Sequence, residues 1–427
     1  MQIEVVNPGE SLWAIARRYG VSVDDIVRVN EIDEPTRLAV GQALVIPTSE
    51  SVHVVAPGES LWSISRRYGI PVDEIARANN IANPSQLYVG QRLRIPRQGA
   101  KRTIETNGYL QPANAETDRT IVNETAEFLT YFSLFQYIVR RDGTLQPPND
   151  EAALAAIRGT NAVPMMVITN FESGTFSAET ARAVFDNPDT RSKLIDNVLA
   201  TMRAKNFYAL NIDFEHVFPA DREKYNAFLR DITARVHAEN KLVSTALAPK
   251  ASATQAGSWY EAHDYAAHGR IVDFVIIMTY EWGWSGGPPM AVAPIPQVRR
   301  VLDFAVTVIP RGKIMMGAPL YGYNWTLPYT PGGKFAPTLS PKAAVNLARD
   351  VGAYIQYDYT AQAPFFRYYD NDGRQHIVWF EDARSMQAKF DLIKEYGLRG
   401  ISYWVLGQRF PQNWALLEAN FNIKKYK

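Results

Sequence analysis

Asp213 and Glu215 close the stretch from Phe207 to Glu215, which reads Phe-Tyr-Ala-Leu-Asn-Ile-Asp-Phe-Glu. In an extended strand, residues two apart point to the same side and lie about 6 to 7 Å apart. Two carboxyl groups that close in a cleft cannot easily ionise together, so the pair should titrate as a unit and keep a proton on one member near neutral pH. That is the state a general acid needs. Asn211 lies below them on the same face. An isolated Asp-x-Glu is more often a solvated strand end than a reactive pair, so the weight of this one depends on what holds it.

The other face of the stretch, Tyr208, Leu210, Ile212 and Phe214, is apolar, and strict alternation predicts a strand with a greasy side under helices. Strand-like segments at 105–110, 128–135, 163–169, 207–215, 242–248, 272–280, 313–319 and 400–405 number eight. Helical patterns fall at Asp150 to Arg158, Ser192 to Lys205, Asp221 to Glu239 and Pro296 to Val308. In the third of these, Tyr225, Phe228, Leu229, Ile232 and Val236 make the apolar stripe of a covering helix. Alternating strand and helix argues for a parallel sheet, and eight units argue for an α/β fold of the (β/α)8 barrel type with its site at the strands' C-terminal ends. The stretch from Gly322 to Phe380 is too long for one helix and turn. It predicts a small α+β insertion between strands seven and eight: a helix from Ser340-Pro341 and strands at 354–359, 365–369 and 375–380, the latter two joined through Asp-Asn-Asp-Gly. A helix from Asp382 to Tyr396, stopped at Gly397, follows.

Ahead of the barrel, residues 3 to 47 recur as 52 to 96 at a constant offset of 49. Pro8-Gly9-Glu10-Ser11-Leu12-Trp13 returns as Pro57-Gly58-Glu59-Ser60-Leu61-Trp62, and Arg17-Arg18-Tyr19-Gly20 as Arg66-Arg67-Tyr68-Gly69. A match over a whole unit means a duplicated small fold. Each copy reads strand, turn, helix, helix, strand, and in so small a core Trp13 and Trp62 are expected inside. The divisions read from the sequence are 1–48 and 51–97 for the modules, 98–104 for a linker and 105–427 for the barrel, with the insertion at about 322–380.

The two modules resemble LysM domains, which bind N-acetylglucosamine-containing glycans. The resemblance implies a glycan groove on Gly9, Ser11, Leu12, Asn30 and Ile32, and on Gly58, Ser60, Leu61, Asn79 and Ile81. Ser11 and Ser60 also suit a helix N-cap, and protein-interaction modules would show the same signs. Two weak sites on one chain would add avidity on a polymer.

The barrel resembles glycoside hydrolase family 18, whose signature is Asp-x-x-Asp-x-Asp-x-Glu on the fourth strand, Met-x-Tyr-Asp on the sixth and Trp on the eighth. Here these are Tyr208, Asn211, Asp213 and Glu215, then Met278-Thr279-Tyr280-Glu281, then Trp404. The resemblance implies that Glu215 protonates the leaving oxygen while the substrate's own 2-acetamido group attacks, the exception to the two-carboxylate rule for glycosidases. Asp213 and Tyr280 would orient the acetamido group and Trp404 would floor the subsite. Asn211, Met278, Glu281, Tyr109 and Tyr321 are expected to line the substrate site, with Tyr131, Trp282 and Trp284 as further cleft aromatics. Asn211 and Glu281 depart from the pattern, and with one carboxylate fewer below it Asp213 is expected to ionise more easily than in members with three. His216, beside Glu215, reads as a neighbour and not a metal ligand, because the six histidines lack ligand spacing.

The combination resembles the spore cortex-lytic N-acetylglucosaminidases of spore-forming bacteria. That implies a peptidoglycan hydrolase acting on spore cortex during germination, with retention and cleavage after N-acetylglucosamine. A chitinase or endoglycosidase would use the same chemistry on another polymer, and a glycan-binding spore-surface protein could keep the barrel as a lectin; substrate assays separate these. The 45 basic and 44 acidic side chains give no global argument for nucleic acid or membrane partners, and zero cysteines exclude disulfides and thiolate chemistry. Peptidoglycan strands and cortex fragments are the expected partners, with no cofactor, no metal and a monomeric chain. Met1 leads straight into a strand-like segment, so no secretory signal is expected, and deposition into the spore from the mother cell is.

Overall fold

The computed structural model describes residues 1–48, 51–68, 70–96 and 101–426. Each module is a two-stranded antiparallel sheet carrying two helices. Gln2–Val5 pairs with Ala43–Ile46 around helices Leu12–Tyr19 and Val23–Asn30. Ser51–Val54 pairs with Arg92–Ile95 around Leu61–Tyr68 and Val72–Ala78. Leu12, Ile15, Ile26, Leu44 and Ile46 fill the first core, and Leu61, Ile64, Ile75, Leu93 and Ile95 the second. Trp13 and Trp62 are not in these cores: each is 63% exposed, with Arg17 and Arg66 over the rings at 5.4 and 5.1 Å. Leu12, Ile15 and Ala16 already complete a helical stripe, and a residue one position on is turned by about 100° away from it.

Eight parallel strands close the barrel: Arg102–Leu110, Tyr131–Val139, Val163–Thr169, Ala209–Asp213, Leu242–Leu247, Phe274–Ile277, Ile314–Pro319 and Gly400–Trp404. The first strand starts at Arg102 and so takes residues 102–104 from the expected linker, while 98–100 lie outside the described residues. The second starts at Tyr131, three residues later than predicted, and this places Tyr131 at the closed end of the barrel instead of in the cleft. Leu210, Ile212 and Phe214 face outward into the strand–helix core, where Phe214 stacks on Phe228 of the helix Arg222–His237 at 5.7 Å. Burying a phenylalanine this fully contributes about 1.5–3 kcal/mol. Ala209, Val167, Met165, Ile276 and Met315 fill the barrel interior. Tyr208 precedes the first paired residue of its strand, so the pleat does not set its direction; it packs at a tilt against Tyr426, ring centroids 4.9 Å apart, at the closed end.

Four covering helices were not legible in the pattern: Ala115–Thr125, Ala178–Asp186, Tyr265–Ile271 and Pro411–Asn420. The first buries only Asp118, Val122 and Thr125, which leaves no apolar stripe to read. Between strands seven and eight stands a lobe with a five-stranded antiparallel sheet and the helix Pro341–Asp350, N-capped by Ser340. Its strand Gly322–Thr326 pairs with Gln375–Trp379, which pairs in turn with Ala363–Tyr369 across the 370–373 turn.

Candidate active site

The fourth strand ends by placing Asp213 inside the barrel opposite Thr169 of the third. Phe214 then packs outward, and its carbonyl accepts a hydrogen bond from His263 Nε2 at 2.9 Å. His263 Nδ1 accepts from the Ala248 N–H at 2.8 Å, which fixes the proton on Nε2. Burial holds this imidazole down at about 4, so it stays neutral. Asn170 grips the next residue from both sides: its Oδ1 accepts from the Glu215 N–H at 3.0 Å and its Nδ2 donates to the Glu215 carbonyl at 2.8 Å. At His216 the chain turns off the strand with φ +53°. The backbone under the acid is therefore held independently of its side chain.

Both carboxyl groups are almost completely buried, and Asp213 Oδ1 has no hydrogen-bond partner among the described residues. Burial alone pushes Asp213 up to about 7. Glu215 is raised by burial and by the Asp213 charge, against a lowering from the Trp259 indole, which donates to Glu215 Oε2. Both carboxyl groups are thus held above the usual carboxylate range, and the pair titrates as a unit that favours keeping a proton. An unsatisfied buried carboxylate is costly in a resting protein; it is useful if a ligand's N–H completes it.

Tyr280 lies beside this pair. Its hydroxyl is kept protonated by burial and by the charges of Asp213 and Glu215, and its ring occupies space that a Cβ on Gly317 would invade at 2.8 Å. Trp404, half-buried at the end of the eighth strand, meets Tyr109 and Phe135 edge-on at 5.4 and 4.9 Å. Below lies a polar layer: Tyr109 OH donates to Asn211 Oδ1 at 3.0 Å, and Asn211 Nδ2 donates to Ser244 Oγ at 2.9 Å. The hydrogen bonds of Asn211 thus go sideways, and it gives Asp213 no donor. Glu281 adopts φ +69° and turns its carboxylate to the hydroxyls of Tyr321 and Tyr323. Met278 is packed in the strand–helix core. Of the residues expected to meet substrate, Glu215, Asp213, Tyr280, Tyr109 and Trp404 come together, whereas Met278 serves packing and Tyr321 is a partner of Glu281. Among the further aromatics, Trp282 packs against the strand–helix core and Trp284 is exposed beside Phe335, with ring centroids 5.9 Å apart.

In the modules, Gly9 and Gly58 turn at φ +75° and +82°. Ser11 Oγ accepts from the Ala14 N–H and Ser60 Oγ from the Ser63 N–H, both at 3.2 Å, as caps do. Leu12 and Leu61 are core. Asn30 bonds the Ile26 and Val45 carbonyls at 2.8 and 2.7 Å and the Val45 N–H at 2.7 Å; Asn79 repeats this on Ile75 and Arg94. Both amides are engaged within their own module, each with its two N–H donors spent on backbone carbonyls, while Ile32 and Ile81 lie partly exposed in the following loop.

Sequence reasoning missed Trp259, Asn170 and His263, which touch or hold the acid from loops and strands 44 to 49 residues away. None sits in a periodic segment with a motif of its own.

The chain matches the family model "Glycosyl hydrolases family 18" over residues 128–408 and the LysM domain model over 5–47 and 53–96. It is 54% identical to the cortical fragment-lytic enzyme of Bacillus subtilis (strain 168), across all of this chain and 99% of that one. The crystal structure of the Bacillus megaterium QM B1551 spore cortex-lytic enzyme SleL aligns with TM-score 0.90 at 45% identity, covering 100% of this chain and 99% of the other. That of Bacillus cereus SleL aligns with TM-score 0.92, again at 45% identity, over 99% and 98%. With its closed parallel barrel, its buried carboxyl pair and these end-to-end matches, the chain belongs to glycoside hydrolase family 18, in the group of cortical fragment-lytic enzymes that carry two LysM domains.

Proposed function

We propose that this enzyme hydrolyses the glycan of bacterial spore cortex peptidoglycan after N-acetylglucosamine, with retention and with the substrate's acetamido group as nucleophile. Its relatives are named for lysis of cortex and of cortical fragments, which puts its polymer and its place of work in the spore. The observation that carries the finer reading is the buried Asp213 with an unpartnered oxygen beside the buried Glu215, a carboxyl pair that burial favours in the protonated form.

In this reading Glu215 gives its proton to the glycosidic oxygen as the bond to the anomeric carbon breaks. The acetamido carbonyl oxygen closes on that carbon, and the N–H gains positive character that Asp213 Oδ1 accepts. Tyr280 donates to the acetamido group and Trp404 supports the distorted ring. Water then loses a proton to Glu215 while its oxygen attacks the anomeric carbon, opening the oxazolinium and restoring the acid. The sugar that reacts must carry an N-acetyl group, so a muramic lactam cannot occupy that position.

The test is mass spectrometry of fragments released from purified cortex by wild type and by Glu215→Gln, together with sedimentation of both on the same material. Release of reducing N-acetylglucosamine ends by wild type alone, with equal binding by both, is expected. Reducing muramic acid ends would overturn the assignment of the bond.

A further inference from the structure

The two modules are copies in sequence but not in surroundings. The first is built into the catalytic unit. The Ile355 N–H donates to the Val40 carbonyl at 2.9 Å, and Ala39 is buried against Ala344, Ala348 and Phe366 of the lobe. The outer face of its sheet, Ala43 and Val45, joins the barrel's strand–helix core. Its acidic loop meets a basic surface: Lys342 lies 2.8 Å from Asp33, Arg349 3.3 Å from Glu34 and Arg409 3.5 Å from Glu31. Gly41 is required, because a Cβ there would lie 1.9 Å from the Ile355 carbonyl oxygen.

Adding 49 to each number shows that the second module cannot dock in this way. Ala39, Ala43 and Val45 become Tyr88, Arg92 and Arg94, all exposed, and Tyr88 is 72% so. Glu31, Asp33 and Glu34 become Asn80, Ala82 and Asn83, so no anion remains in that loop for Lys342, Arg349 or Arg409. The repeat from 3 to 47 holds seven acidic and four basic residues, and that from 52 to 96 three and five. The loop itself is affected: Ile32 sits in a narrow gap with Lys342, Asn346 and Arg349, whereas Ile81 lines an open depression with Ala76, Arg77 and Pro84.

We propose that the two modules have divided their work. The first is a fixed clamp on the insertion lobe with its glycan loop closed off, and only the second reads N-acetylglucosamine-containing strands, through the depression around Ile81. This rests on the reading that these modules bind glycan. A second copy of the catalytic unit is not the occupant of the second module's face, because the basic lobe would find Asn80, Ala82 and Asn83 in place of its anions and the apolar core that takes Ala43 and Val45 would have to bury Arg92 and Arg94.

Methyl NMR of the full chain with 13C-labelled isoleucine tests this, Ile32 and Ile81 being assigned by Ile→Val variants and hydrolysis blocked with Glu215→Gln. On titration with chitotetraose, the Ile81 methyl is expected to shift and the Ile32 methyl to stay. Shifts at both, or at Ile32 alone, would overturn the division. No shift at either would also overturn it, while cortex hydrolysis by the wild type would show that the enzyme reading stands without it. In Lys342→Glu/Arg349→Glu, which repels the acidic loop from the lobe, Ile32 should begin to respond; a silent Ile32 in this variant would overturn occlusion by these two side chains as the cause.

Discussion

The barrel buries carboxyl groups at both ends and treats them in opposite ways. At the closed end Glu105 accepts from Tyr131 OH at 2.9 Å, Arg399 Nε at 2.6 Å, Lys424 Nζ at 3.0 Å and Tyr426 OH at 2.7 Å. Burial alone would raise this carboxyl, yet the Arg399 charge and the bonds from Tyr426, Lys424 and Arg399 outweigh it and hold it below the usual range. At the open end Asp213 has an empty oxygen and is raised to about 7. One fold supplies both environments; the difference is how many donors its own chain brings to each carboxylate. Where the donors are present the charge is structural, and where they are withheld a ligand must supply them.

The largest test of that contrast crosses the two ends. Glu215→Gln should lose roughly 10²- to 10⁴-fold in kcat and leave the unfolding midpoint in urea unchanged or raised. Glu105→Gln should keep kcat but lose about 3 kcal/mol of stability, since Arg399 and Lys424 remain beside a neutral group. Acid separates them again. The lowered pKa of Glu105 contributes stability that is present above the unfolded value and lost as pH falls through the folded one. The urea midpoint of Glu105→Gln should therefore fall less than that of wild type as the buffer is taken from pH 6 toward pH 3. A Glu105→Gln protein that is fully stable but inactive would collapse the distinction.

What could be read in advance follows the same division between local pattern and distant partners. Alternation around Asp213 exposed the strand, its inner face and the acid, because period and residue type are local. The closed end was not legible. Glu105 looked like the first residue of a strand, and its partners Arg399, Lys424 and Tyr426 lie about 300 residues away. Trp13 and Trp62 misled for another reason: size suggests burial, but Leu12 and Ile15 had filled the stripe. The docking of the first module left a trace after all, in the drop from Arg94 and Tyr88 to Val45 and Ala39 across the repeat. Comparing the copies for their differences, and not only for their match, would have found it.

A smaller effect is expected at the donor that the open end supplies to Glu215. The Trp259 indole favours the ionised form of Glu215. Trp259→Phe keeps an aromatic ring beside His216, which the indole meets at 6.3 Å, and removes the N–H donor along with part of the bicyclic ring. The carboxyl should then hold its proton to higher pH, moving the alkaline limb of kcat/KM upward, with a loss of about tenfold in kcat if the bond also fixes the acid's rotamer. A limb that stays in place, or moves down, would show that Trp259 does not act on the acid.

The finest probe is Asn211→Asp, which adds a carboxyl to the layer beneath Asp213. In the wild type this position spends its oxygen on Tyr109 and its amide on Ser244, so its neutrality costs Asp213 nothing and gives it nothing. An aspartate there can still accept from Tyr109, and Ser244 can turn its hydroxyl to donate. If the new group ionises, its charge raises Asp213 above about 7 and through it Glu215, and the alkaline limb moves up. If it stays protonated in that dry layer and turns its O–H toward Asp213, that hydrogen bond favours the ionised form of Asp213, and the limb moves down. An unchanged pH–rate profile would mean that the two positions do not communicate, and would make burial alone the cause of the raised pair. A limb that moves up shows a charge in the layer below acting on the pair, and one that moves down shows a donor acting on it, so the direction separates the two ways this layer can set where the enzyme keeps its proton.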